Sequence, residues 1–103
     1  MYKLIYFVPE AYAESTKKAL FAAGAGKIGD YDCCAWQTLG QGQFRPLAGS
    51  QPFLGSAGEL EVVCEYRVEL VCMDEYIRAA VTALKQAHPY EEPAYEVYRL
   101  EAF

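Results

Sequence analysis

His88, Glu91 and Glu92 are the residues of this chain whose types and spacing best suit joint chemistry. They lie in HPYEEPAYEVY, residues 88–98, where the only histidine precedes two adjacent carboxylates. An imidazole with two carboxylates is a donor set that divalent metals accept. A divalent metal ion is therefore the cofactor these residues would take, completed by water or a neighbouring subunit. Pro89 and Pro93 bracket the carboxylates. Proline locks its own φ and pushes the residue before it toward extended geometry, so this connector is stiff and its polar groups are held in place. A plainer reading competes. A histidine before proline also terminates a helix, its ring capping the last carbonyls, and Glu91 and Glu92 read equally well as a solvated pair or as partners for Arg45.

Other chemistry is sparse. No Ser/His/Asp pattern, Walker loop or HExxH occurs, so nothing supplies a nucleophile with a base. GAGKIG at 24–29 satisfies the dinucleotide fingerprint, but that motif works only where it leaves a strand and opens a helix. Here it leaves a helix and enters a strand, which makes it a helix C-cap and turn. The cysteines are Cys33, Cys34, Cys64 and Cys72, without a CxxC spacing. Free, reduced thiols packed as small hydrophobes are expected, in a cytoplasmic protein.

Charge and length narrow the function classes. Nine Lys and Arg face fourteen Asp and Glu, for a net charge of −5, and the basic residues are scattered. Nucleic-acid binding needs a positive stripe, which is missing. No apolar run approaches the roughly 20 residues of a membrane span. A chain of 103 residues is expected to be one domain, yet 53% of it is hydrophobic. That excess points to apolar surface buried between copies, as a dimer or a trimer.

The elements that must position the site follow from periodicity. Residues 2–8 alternate as a strand, and Pro9 opens a helix to about Ala23, stopped by Gly24. Residues 31–39 read as a second strand. Residues 60–72 alternate most clearly, with Val62, Cys64, Tyr66, Val68, Leu70 and Cys72 on one face and Glu61, Glu65, Arg67 and Glu69 on the other. Asp74 is the expected N-cap of a helix from about Glu75 to Ala87, and residues 94–101 form a last strand. The order βαββαβ predicts an α+β, ferredoxin-like fold: an antiparallel sheet, both helices on one face, the other face uncovered.

Between the second and third strands, Gly40–Gly58 holds five glycines, Pro46 and Pro52. Its Phe44, Leu47, Phe53 and Leu54 are too apolar for a free linker, so it is expected to be ordered and docked. The topology brings this loop, the end of the first strand and the 88–93 connector to one end of the sheet. The expected working site there is Phe44, Arg45, Tyr90 and Glu10 for a ligand and His88, Glu91 and Glu92 for a metal. Cys33, Cys34 and Cys72 fall at the opposite end, about a strand length away.

Four stretches together resemble one family: ALFAAGAGKIGDYDCCAW, GQGQFRPLAGSQPFLGSAGELE, EYRVE and HPYEEPAYEVY. They are similar to the domain inserted in the longer bacterial NGG-interacting-factor-three-like proteins of the YqfO type, which itself resembles PII signalling proteins and the CutA divalent-cation-tolerance proteins. In the longer proteins, two flanking lobes hold a pair of metal ions through histidines and carboxylates. This sequence shows neither lobe and a single histidine, so the resemblance does not imply their hydrolase or cyclohydrolase chemistry. It implies the ferredoxin-like fold, self-association and a ligand-meeting loop at 40–58, in a stand-alone version of the inserted domain. The expected function is a non-enzymatic oligomeric module that binds a small ligand, a divalent metal or a partner protein. The alternatives are a metal-dependent enzyme with a site shared between subunits, or a partner subunit for a separately encoded dimetal lobe protein.

Overall fold

Leu4, Tyr6 and Val8 alternate along the first strand and are fully buried, and this side of the sheet carries the core. The structure, a computed structural model, describes residues 1–103. The strand, β1 (Tyr2–Pro9), is central. It pairs antiparallel with β3 (Glu61–Cys72) on one side and β4 (Tyr95–Arg99) on the other. β2 (Trp36–Phe44) lies beyond β3, giving the order β2-β3-β1-β4. Helices α1 (Ala13–Ala22) and α2 (Ile77–Ala87) set Leu20, Ala80 and Leu84 against Val68, Leu70 and Cys72. This is the ferredoxin-like α+β fold, with an antiparallel sheet and both helices on one face.

Local chemistry explains the boundaries. Gly24 takes φ 106°, and the amide of Ala25 reaches back to the carbonyl of Leu20 at 3.1 Å, so GAGKIG begins as a helix C-terminal cap. The buried hydroxyl of Tyr6 meets Thr16 Oγ1 at 2.9 Å, and Thr16 also lies 2.8 Å from the carbonyl of Tyr12. Burial, the dominant cause, pushes the Tyr6 phenol up to about 12. That bond ties β1 to the start of α1. No helix is long and apolar enough to cross a membrane.

Several expectations are corrected. The second strand runs Trp36–Phe44 instead of 31–39, so Gly40 and Gly42 are strand residues paired with Glu65 and Val63. A 3-10 turn, Glu10–Tyr12, precedes α1. Asp74 does not cap α2, whose N-cap is Tyr76 with no side-chain bond. Asp74 instead receives the amino group of Met1 and lies 3.8 Å from Arg99. Of the four free cysteines only Cys72 is buried; Cys34 is half-buried, and Cys33 and Cys64 are exposed. Cys33 also holds φ 53°, unusual for a side chain with a Cβ.

The alternation in β3 is real, but only its second half is covered. Val68, Leu70 and Cys72 are buried and Tyr66 is half-buried, while Val62 and Cys64 on the same face are exposed. The β2–β3 hairpin runs past the helices, which stretches the molecule to 46 × 24 × 24 Å. The radius of gyration is 14.5 Å, against about 13 Å for a rounder chain of this size. On the helix-free face Trp36 and Tyr98 are 61% and 51% exposed.

Candidate ligand cleft

The cleft forms where the chain leaves β2. Pro46 is buried, and its carbonyl accepts the amide of Gly58 at 2.8 Å, which closes the intervening segment into a loop. Within it the Ser50 hydroxyl donates to the carbonyl of Leu47 at 2.7 Å. Phe53 then reaches back to the sheet end. Its ring stands edge-on to Tyr12 at 5.6 Å and tilts against Tyr90 at 6.3 Å, and Phe44 meets Tyr90 edge-on at 5.8 Å. Offset aromatic contacts of this kind are favourable beyond the area they bury. The amide of Gln51 donates to Glu91 Oε2 at 3.0 Å, a second tie between loop and connector. The loop therefore docks on its own chain.

The connector is anchored from below. His88 is 5% exposed; its Nε2 lies 2.6 Å from the carbonyl of Phe7, and its Nδ1 accepts the amide of Tyr90 at 3.1 Å. A carbonyl only accepts and an amide N–H only donates, so the proton sits on Nε2. Burial, the larger cause, holds the imidazole below its ordinary pKa, against the opposing pull of the Phe7 carbonyl. Both nitrogens are engaged, so neither is free for a metal.

Between loop and connector lies a cleft of about 580 Å³. Phe44, Arg45, Tyr90, Glu91 and Glu92 line it, joined by Phe7, Pro46, Phe53, Leu54 and Glu65. Five of the seven expected site residues thus meet there. Glu10 does not: it is exposed at the head of the 3-10 turn, and Tyr12 is the residue of that turn that touches the loop. His88 stands behind the cleft as its anchor. Arg45 forms no ion pair with Glu91 or Glu92, and nowhere in the chain do three His, Cys, Asp or Glu side chains converge as a metal would need.

Two features of the cleft were not legible locally. Glu65, on the helix-free face of β3, lies over Gly42 of β2, where any Cβ would collide with its carboxylate. It makes no hydrogen bond or ion pair, and burial raises its pKa. The Tyr90 hydroxyl is buried without a partner, and its pKa is raised by burial and then by the charges of Glu65 and Glu61. The only sequence signal for this pairing is a glycine facing a glutamate across two strands.

No protein-family model matches the chain. A Bacillus subtilis protein called a GTP cyclohydrolase 1 type 2 homolog is 46% identical over 96% of this chain and 26% of its own length. A Mycobacterium tuberculosis protein of the same description is 43% identical over 95% of this chain and 26% of its own. The solved structure of a Bacillus cereus protein related to NIF3 superposes with a TM-score of 0.84 at 42% identity, over 98% of this chain and 26% of that one. CutA from Xylella fastidiosa superposes with a TM-score of 0.71 at 19% identity, over 99% of this chain and 85% of that one, which shows a shared fold. The chain therefore corresponds, over nearly its whole length, to the CutA-like segment of the NIF3-related proteins and spans about a quarter of the length of the relatives it matches.

Proposed function

We propose that the chain is a non-catalytic module that binds a small ligand in the cleft between the 45–58 loop and the 88–93 connector, and that it works as a homo-oligomer. One observation carries the reading. The cleft is lined by four aromatic residues, Phe7, Phe44, Phe53 and Tyr90, and also holds charged groups, Arg45 and Glu65, that no residue of the chain pairs. Apolar walls with a few convergent polar groups are the usual make-up of a small-molecule site. Self-association is favoured by Trp36 and Tyr98, two large aromatics exposed on the sheet face that no helix covers.

The test is a chemically mixed metabolite library observed by ligand NMR on the wild type and on a Phe44→Ala, Tyr90→Ala variant. Compounds whose signals broaden with the wild type alone support the reading. If no compound depends on the two rings, the cleft is architecture. The enzyme alternative would need ligands drawn from two subunits, because His88 is occupied and Glu91 and Glu92 have no third partner.

A further inference from the structure

We infer that the cleft takes a small organic cation, an ammonium or guanidinium head on an apolar stem, with the head seated at Glu65. This deepens the ligand-binding reading above and rests on it. The lining holds one cation, Arg45, against three carboxylates, Glu65, Glu91 and Glu92. Arg45 and Glu92 are exposed, and Glu91, also exposed, already accepts the Gln51 amide. Glu65 differs from all three. It is partly buried, has no hydrogen-bond or ion-pair partner, and burial raises its pKa. A carboxylate withdrawn from water without a partner is costly, and a bound cation removes that cost.

The surrounding groups fit the same occupant. Gly42 leaves the space that the Glu65 carboxylate fills. The buried Tyr90 hydroxyl, also unpartnered, can accept from a multi-donor head such as ammonium. Phe44, Phe53 and Tyr90 line the cleft, and aromatic rings both attract a positive charge and give apolar wall to a stem. A nucleotide polyphosphate fits poorly, because it would meet three carboxylates with only Arg45 to offset them. A bare divalent ion lacks its ligand set, since no three ligating side chains converge.

The experiment uses one carbon skeleton with three charges: isoamylammonium, isoamyl alcohol and isovalerate, each titrated into the full chain by NMR. The ammonium is expected to bind roughly tenfold more tightly than the alcohol, the scale of one added favourable contact, with the anion weakest. Glu65→Gln should abolish that preference at an unfolding midpoint equal to or above that of the wild type. Gly42→Ala, which displaces the carboxylate without removing it, should weaken it too. Equal binding of ammonium and alcohol, or tighter binding of isovalerate, overturns the cation assignment. So does binding of library compounds to the cleft when isoamylammonium does not bind; in each of these cases the cleft remains a ligand site. If neither the three probes nor any library compound depends on Phe44 and Tyr90, both the assignment and the ligand-binding reading fall. A Glu65→Gln variant that loses self-association but keeps its affinity for isoamylammonium would place Glu65 at an interface between copies and overturn the inference.

Discussion

His88 donates from Nε2 to the carbonyl of Phe7 at 2.6 Å, joining the end of α2 to β1 across 81 positions of sequence. The amide of Tyr90 donates to the other ring nitrogen at 3.1 Å. One neutral imidazole thus fixes where the connector starts and how Tyr90 enters the cleft.

That arrangement predicts an acid-sensitive fold. A proton on Nδ1 would replace an acceptor with a donor facing the Tyr90 amide. Burial lowers the pKa of His88 below its ordinary 6.5, so between the two values the unfolded chain binds more protons than the folded one. Stability is then fully present above 6.5 and falls as pH drops toward the folded-state value. The urea midpoint should fall as pH drops below about 6.5, and His88→Gln should remove that part of the slope. Glu65, whose pKa is raised, has the opposite sign at lower pH, so the variant comparison isolates the histidine. Equal slopes in wild type and variant would contradict the assignment.

The same two bonds predict the outcome of metal titration. With both nitrogens engaged and no three ligands converging, divalent ions should meet only exposed carboxylates. Calorimetric titration of Mn²⁺ or Zn²⁺ should give weak affinity that His88→Gln leaves unchanged. A large loss in that single variant would restore His88 as a ligand.

Phe53 predicts how firmly the loop is held. It is 48% exposed, yet its ring packs on Tyr12 and Tyr90 at 5.6 and 6.3 Å. Phe53→Ala removes the buried half of a phenyl ring together with its packing on both tyrosines, which should cost about 1 kcal/mol. Limited proteolysis should then cut residues 45–60 faster while the core unfolds cooperatively. Leu47, 67% exposed in the same loop, is the control, and Leu47→Ala should change neither measure.

The parts legible in the sequence were those fixed by local pattern. Leu4, Tyr6 and Val8 alternate because one side faces the helices, and Pro89 and Pro93 stiffen their own connector wherever it lies. Periodicity names a face but not its cover, so Val62 and Cys64 alternate correctly and are still exposed. The second strand ends at Phe44 and not at residue 39 because Gly40 and Gly42, turn residues by local pattern, become strand only through pairing with β3. The two readings of His88 could not be separated locally, since the deciding group, the Phe7 carbonyl, comes from the first strand. Glu65 looked like one more polar-face residue until Gly42 stood opposite that face.

The packing of Glu65 on Gly42 gives the sharpest test. Any Cβ at position 42 would collide with the Glu65 carboxylate, yet Gly42 has no positive φ that would itself demand glycine. Backbone freedom lost from the unfolded chain favours alanine by roughly 0.4–1 kcal/mol where no clash exists. Gly42→Ala should therefore be less favourable in the wild type than that backbone gain alone, because the flexible Glu65 carboxylate has to swing aside. In a Glu65→Ala background the obstruction is gone, and the same substitution should be neutral or stabilising. The cycle isolates the contact because each residue is changed with and without its partner. Denaturant unfolding of the four proteins measures it. A Gly42→Ala effect that is the same in both backgrounds would mean the glycine serves the strand alone, with no part in seating the carboxylate.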